Sequence, residues 1–499
     1  DGQTVADYLR RAAEMGSPDA EIRLAVLEIE AQTDLEAAQA KFARLKQLAR
    51  DGHTLALYEF GTLLLDGKAP LVSPDPAGAY AMIEPAAKGG YAPALVSTAL
   101  MQIYGNGIPR SPAVGLAELQ RLSDAGSAEA ALASARVYDE GLPGILLRKP
   151  AHAFELYSTA AAAGSGSARL QRAAMLMRGD GVAPDPAGAL AILEEAGAEG
   201  DASAYLALAT LYETGETHAV PKDARKAFEF FSRAADLGDS RAAMKVALMH
   251  LDNSVPASDQ SSGLAILEGL ASTGHTDAAY RLADFYSGDD GQAVSPDPAL
   301  AFGYYQQAAE GGSGSARIRM AGMLIRGEGI ARDVPRGIAI LREEGAAGNA
   351  TALLNLGDTF ARGIAGRVDI EAALEAYEAA SDLGNDTALV RLADIYRYGL
   401  LRKTSTSRAY EFLEKAAAQG NSYAVFMLGK GLVDGDFGDA GTVEDGERLL
   451  VQANLGNVAE AAVELALLDV PSVTEGATAS SKVERLRNLA EGGNLAARL

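Results

Sequence analysis

The residues of this chain whose types could do chemistry are five histidines, a set of Gly-x-Gly triplets and one dense run of aspartates. His53, His152, His218, His250 and His275 are scattered along the chain, with no pair at metal-binding spacing and no His-Glu-x-x-His run. They read as structural, with His53 and His275 at helix starts. Gly105-Asn106-Gly107, Gly179-Asp180-Gly181 and Gly327-Glu328-Gly329 have the look of phosphate loops. A dinucleotide fingerprint must follow a strand and open a helix, whereas these triplets follow helical patterns and recur as ordinary turns. Arg178-Gly179-Asp180 belongs to the same kind of turn. Asp434, Asp436 and Asp439 form the densest carboxylate cluster, but calcium takes roughly six to eight oxygens, and the run lacks the terminal glutamate of an EF-hand loop. An enlarged polar loop is the reading, with a weak calcium site as the alternative; Asp289-Asp290 is weaker still. There is no serine nucleophile elbow and no cysteine. No catalytic residue, no cofactor and no metal ligand is therefore expected, and the chain reads as a non-enzyme.

The elements that would position these side chains are set by a period. Glycine recurs at Gly16, Gly52, Gly90, Gly126, Gly164, Gly200, Gly238, Gly274, Gly312, Gly348, Gly384, Gly420, Gly456 and Gly493, at spacings of 36 to 38. Such a period marks a helical solenoid, in which each unit buries its apolar face against its neighbours. An alanine follows each glycine at the fourth position, from Ala20 and Ala56 to Ala388 and Ala424, and slips by one to Ala461 in the last unit. A second small residue follows at the ninth, as in Gly61, Ala99, Ala321 and Gly357. Small side chains at fixed helical positions let axes approach to about 8–10 Å. The residue after the glycine is a capping type in Ser17, Ser127, Ser165, Asp201, Asp239, Asn349, Asn385, Asn421, Asn457 and Asn494. Second helices open on Asp75-Pro76, Asp185-Pro186 and Asp297-Pro298, aspartate capping and proline at the first helical position.

The fold expected is all-α: a right-handed superhelical α-solenoid of about thirteen helix-turn-helix repeats of 36–38 residues, continuous over 1–499. A half repeat spans 4–16; full repeats span 17–52, 53–90, 91–126, 127–164, 165–200, 201–238, 239–274, 275–312, 313–348, 349–384, 385–420, 421–456 and 457–493; a truncated repeat closes at 494–499. From 53 to 312 long and short units alternate, the long ones with aromatics in the second helix (Tyr157, Phe231, Tyr305) and the short ones with glycine and leucine there. The simplest expectation is that large second-helix faces nest on small ones in the next layer. Segments 165–200 and 313–348 share Ser-Gly-Ser-Ala-Arg and a later Arg-Gly-(Asp/Glu)-Gly, which points to duplication of a block of repeats. The inter-helix segment 470–481 lacks the glycine turn, and the turn within 17–52 is short, as in capping units.

The pattern Ala-x₃-Leu-(Gly/Ala)-x₂-Tyr-x-x-Gly, then Asp-x₃-Ala, then Ala-Ala-x-x-Gly resembles the Sel-one-like repeat, a relative of the tetratricopeptide repeat. It stands in Ala204-Leu208-Ala209-Tyr212-Gly215 with Asp223, Ala227, Ala234, Ala235 and Gly238, and again in Ala388-Leu392-Ala393-Tyr396-Gly399. The resemblance implies a protein–protein interaction scaffold whose concave face is lined by first helices. The tyrosines and arginines expected there, residue types suited to interface anchoring, are Tyr58, Tyr205, Tyr280, Tyr423, Arg169, Arg317 and Arg391. The stretch Ile395-Tyr396-Arg397-Tyr398 onward to Gly420 offers the most exposed-looking mixture of aromatic and basic residues. That stretch is also similar to the Ile-Tyr-Arg-x-Gly-x-Leu repeat of periplasmic scaffold lipoproteins of alginate secretion. The resemblance thus implies partners in a bacterial envelope complex, one for exopolysaccharide synthesis and secretion. The alternatives are a periplasmic regulator that restrains a signalling partner, and a glycan-binding solenoid.

Composition bounds the partners. A net charge of −23 opposes nucleic acid, whose binding needs clustered Lys and Arg, and opposes capture by an anionic membrane surface. A small-molecule ligand is not expected. No run of apolar residues is long enough to span a bilayer. The absence of cysteine suits an exported protein, where an oxidising compartment would cross-link free thiols. The chain opens at Asp1 on a lone second helix and stops within a new first helix at Leu499, as if cut from a longer product that carried a signal or lipid anchor. The location expected is periplasmic or outer-membrane-anchored, with the cytoplasm as alternative.

Overall fold

In the computed structural model the described residues are 5–31, 35–68, 71–215, 220–252, 254–255, 259–288, 296–398 and 405–468. Their regular structure is helical apart from isolated bridges such as Lys68 to Val72 and Leu142 to Leu146, each inside an inter-helix loop. The chain sorts into two compact units, Asp1–Met249 with Ser254–Pro256, and His250–Asn253 with Ala257–Leu499.

In the first unit the lone helix α1 (Val5–Glu14) precedes six hairpins. These are α2/α3 (Pro18–Ala31, Leu35–Arg50), α4/α5 (Thr54–Asp66, Pro76–Lys88), α6/α7 (Ala92–Tyr104, Pro112–Asp124), α8/α9 (Ala128–Glu140, Pro150–Ala162), α10/α11 (Gly166–Arg178, Pro186–Ala198) and α12/α13 (Ala202–Thr214, Ala224–Asp236). Helix α14 (Ser240–Leu251) follows. The second unit opens with α15 (Gln260–Ser272) and continues as five hairpins. These are α16/α17 (Thr276–Ser287, Pro298–Glu310), α18/α19 (Gly314–Arg326, Val334–Ala346), α20/α21 (Ala350–Ala361, Ile370–Asp382), α22/α23 (Asp386–Arg397, Thr406–Ala418) and α24/α25 (Ser422–Val433, Val443–Leu455). Helix α26 (Ala459–Leu468) ends the described part. Segment 470–481 lies beyond it.

Local chemistry sets these boundaries as the sequence reading expects. Asp75 and Asp185 each accept the amide of the third residue on, Gly78 and Gly188, at 2.9 Å. Ser127, Ser165 and Ser313 do the same for Ala130, Ala168 and Ala316 at 3.2 Å. The last repeat departs from the pattern. Gly456 keeps a negative φ, and Asn457 takes the left-handed position at φ 62 that glycine fills elsewhere. Asn457 is therefore not the N-cap of α26. The one-residue slip of the alanines starts here, at a residue type whose short amide tolerates the left-handed region.

Within each unit, packing runs mainly between helices that neighbour in the chain. Ala56, Ala94, Ala130, Ala168, Ala204, Ala242, Ala278, Ala316, Ala352, Ala388 and Ala424, all four residues after a recurring glycine, are fully buried. A typical core segment gathers Ile318, Ala321 and Ile325 of α18, Leu341 of α19, Ala352 and Leu356 of α20, and Ala376 of α21. The nesting of large on small differs from the expectation. It occurs inside hairpins, where a Cβ on Gly357 would meet the Tyr377 ring at 2.5 Å and one on Gly337 would meet Ile325 at 2.6 Å. It also occurs from a second helix to the next first helix, where a Cβ on Gly345 would meet Leu353 at 2.5 Å. Hairpin partners face each other most closely, so that interface sorts the sizes.

Candidate partner-binding surface

The first helices of the second unit present a polar face built at fixed offsets from the recurring glycine. Arg319, Asn355 and Arg391 stand seven residues after it; Asp284, Asp358, Asp394 and Lys430 stand ten after it; Arg326, Arg362 and Tyr398 stand fourteen after it. Steps of three, four and seven keep side chains on one side of a helix. Over α16, α18 and α20 they border a cleft of about 520 Å³ with Ile318, Ile325 and Leu341 among its apolar lining. Tyr280, Arg319, Arg326, Asn355, Asp358 and Arg362 supply much of its polar wall.

Tyrosines from the second helices brace this face from beneath. The Tyr305 hydroxyl donates to Asp284 Oδ1 at 2.6 Å, and the Tyr377 hydroxyl donates to Asp358 Oδ1 at 2.7 Å. Burial, reinforced by these carboxylates, pushes both phenols well above their ordinary range. Asp358 Oδ1 also accepts from Arg391 Nε at 3.2 Å, and Arg362 lies 3.8 Å from Asp358 Oδ2. The hydrogen bond to Tyr280, ahead of an opposing burial effect, raises the Arg319 guanidinium. Burial pushes the Asp394 carboxyl upward against the pull of Arg391 and Arg397. Further along, Lys430 Nζ lies 2.5 Å from Glu464 and 3.4 Å from Asp434.

The anchors named from the sequence fall into two classes. Tyr58 packs edge-on to Tyr91 at 5.3 Å, Tyr205 stacks on Phe230 at 6.0 Å, and Tyr280 meets Tyr305 edge-on at 5.6 Å. All three are half-buried, and their rings serve packing between helices. Tyr396 is 9% exposed and stacks on Phe412, with Arg408 donating to its hydroxyl at 3.0 Å. The Arg397 side chain is 11% exposed and pairs with Asp436. The expectation that 395–420 exposes these two is thus corrected: apolar neighbours bury Tyr396, and an ion pair absorbs Arg397. Tyr398 and Tyr423 are exposed at 64% and 45%, and Arg391 is committed in part to Asp358. Residues 399–404 of that stretch lie outside the described residues. Arg169 and Arg317, at equivalent positions of the two similar segments, tie their first helices to Glu199 and Glu343, which stand at different positions of the following second-helix region.

The other candidates for chemistry are accounted for by structure. His275 caps α16 through Ala278, His53 lies 3.5 Å from Asp19, His152 lies 3.4 Å from Glu155, and His250 accepts the Asp259 amide at 3.1 Å. His218 and the Asp289-Asp290 pair lie outside the described residues. The Gly-x-Gly triplets are inter-helix turns. Gly329 sits at φ 69 against the backbone of Pro298 in the preceding hairpin, and Gly181 sits in the same way against Pro150. The second glycine is required by that close approach, not by a phosphate. Asp434 and Asp436 face Lys430 and Arg397, and no group of three His, Asp or Glu converges as a metal site among the described residues.

The residues missed by sequence reasoning are Arg319, Arg326, Asn355, Asp358 and Arg362. Their signal was present in the fixed offsets from the glycine, but only pairing between repeats gives those offsets a common wall.

The model of the Sel1 repeat matches residues 54–91, 126–165, 167–201, 202–239, 276–313, 350–385 and 387–421, together more than half of the chain. Among solved structures, one similar chain is a protective antigen of uropathogenic Escherichia coli with an SLR fold: 24% identity over 95% of this chain and 99% of that one, TM-score 0.47. Another is a Sel1 repeat protein from Oxalobacter formigenes, at 24% identity over 70% of this chain and 89% of that one, TM-score 0.33. An immunity protein from Pseudomonas aeruginosa is similar at 18% identity over 52% and 82%, TM-score 0.25. No curated protein matches the chain.

Proposed function

This chain belongs to the Sel1 repeat family, and from that premise we propose that it is a non-catalytic scaffold that docks partner proteins on the first-helix face of its second unit. Sel1 repeat proteins generally mediate protein–protein interaction, and their fold is typically a non-catalytic interaction scaffold. The observation that carries the assignment of the face is the cleft over α16, α18 and α20, which combines an apolar floor with arginine, amide and tyrosine walls. That mixture, large contact area with polar reach, is what interface anchors provide. Among the described residues no helix is long and apolar enough to cross a membrane.

The finer reading is a bacterial envelope scaffold that assembles an exopolysaccharide synthesis and secretion complex. The absence of cysteine supports export, and the likeness of 395–420 to repeats of alginate-secretion scaffolds supports the complex. The contribution would be effective concentration, partners being held side by side on the first helices of the second unit. In-cell cross-linking of the tagged full chain, followed by mass spectrometry, tests it. Recovery of a polymerase, polymer-modifying enzymes or an outer-membrane porin is expected; recovery of cytoplasmic proteins alone would contradict the envelope assignment.

A further inference from the structure

The cleft over α16, α18 and α20 carries a charge opposite to that of the chain. The molecule bears a net −23, yet three arginines, Arg319, Arg326 and Arg362, line this one depression. Arg319 is held by Tyr280, and the acidic groups named here are engaged. Asp358 receives the Tyr377 hydroxyl and Arg391, and Glu328 pairs with Arg326 at 2.7 Å. The Arg362 side chain remains 66% exposed, with Asp358 no nearer than 3.8 Å. Between the arginines the half-buried Asn355 faces the cleft, and its carboxamide has no hydrogen-bond partner among the described residues. The floor is aliphatic, from Ile318, Ile325 and Leu341.

We propose that this cleft takes an extended acidic segment of a partner polypeptide, a carboxylate on Arg362 and a backbone amide on Asn355. The proposal rests on the scaffold reading above and names the partner chemistry at that same face. Guanidinium forks suit carboxylates bidentately. A carboxamide offers one donor and one acceptor, which is what an extended backbone needs to be held at a single residue. Three first helices at about 10 Å spacing span about 20 Å, the reach of about six extended residues. An acidic glycan shares the charge but wants flat aromatic faces, and the one ring lining this cleft, that of Tyr280, packs edge-on to Tyr305. The acidic remainder of the surface repels off-register anions, so the cleft selects where the partner seats.

Fluorescence anisotropy with the full chain tests this. The probe is a dye-labelled ten-residue peptide of alternating Glu and Leu, run beside its Lys-for-Glu counterpart and an oligouronate of equal charge. Saturable binding of the acidic peptide alone is expected, weakened at least tenfold by Arg362→Glu and by Asn355→Ala, and weakened by added salt. Arg225→Glu, an equal charge change in the first unit, should leave it within twofold. Circular dichroism melts of the variants confirm folding, and Arg362 is chosen because its exposure makes its replacement tolerable. No preference for the acidic over the basic peptide overturns the proposal, as does oligouronate binding in its place, or equal effects of the Arg225 and Arg362 variants. A protein partner captured by a photo-crosslinker at position 355 and indifferent to Arg362→Glu also overturns it, while leaving the scaffold reading intact.

Discussion

Tyr157, Tyr305 and Tyr377 occupy one position in three second helices, each at most 2% exposed, and each hydroxyl is directed at an aspartate of the paired first helix. A buried phenol must keep its proton, so burial raises its ionisation; for Tyr157 it reaches about 12 from an ordinary 10.0. In the unfolded chain the same phenols ionise near their ordinary value. Their stabilisation is therefore complete below pH 10 and is lost as the pH rises toward and beyond 12. Thermal melts should hold level in mild alkali and fall steeply above pH 10, and Tyr157→Phe should flatten that fall. At neutral pH, Tyr377→Phe should cost about 1–2 kcal/mol in denaturant titrations, because Asp358 loses one donor at a half-buried site. Asp259 lies at the opposite limit: hydrogen bonds from Ser262 and Ser261 lower it from 3.8 to about 2. Its share of stability is present above 3.8 and disappears as the pH falls toward 2, so Asp259→Ala should reduce the acid sensitivity of α15 as followed by hydrogen exchange.

Within an element, the chain announces its own boundaries. Aspartate or serine caps, a proline at the first turn and a left-handed glycine at the end act over four residues, so helix starts and stops were legible without tertiary information. Ser313→Ala should cost about 1 kcal/mol, read as a shift in melting of α18. What was not legible was who faces whom. Tyr396 and Arg397 share a motif with exposed Tyr398, yet one is buried on Phe412 and the other is held by Asp436, a partner in the following hairpin. The glycine at 337 illustrates the same limit. It reads as a weak helical residue, but a Cβ there would meet Ile325 at 2.6 Å and the carbonyl oxygen of Ala321 at 2.8 Å. Gly337→Leu should overpack the α18/α19 hairpin by about 1–3 kcal/mol or more.

Within each unit, the strongest packing pairs helices that neighbour in the chain, as in α4 with α5, α18 with α19 and α19 with α20. Stability then propagates by nearest neighbours, as in other repeat arrays. Hydrogen exchange in Gly337→Leu should accelerate in α18 to α20 and stay unchanged in α4 to α6. The same linearity explains why the period revealed the fold while the binding face stayed hidden. The repeat gives the offsets at which Arg319, Asn355 and Arg362 stand, but their side-chain types vary from unit to unit, and only pairing between units brings them to one cleft. The central claim is that this face receives a partner protein, and site-specific photo-crosslinking in cells tests it most directly. A benzophenone at position 355, inside the cleft, is compared with one at Glu375, exposed on the second helix α21. A discrete protein adduct at 355 and none at 375 is the predicted result; an adduct at 375 with none at 355 would contradict the account.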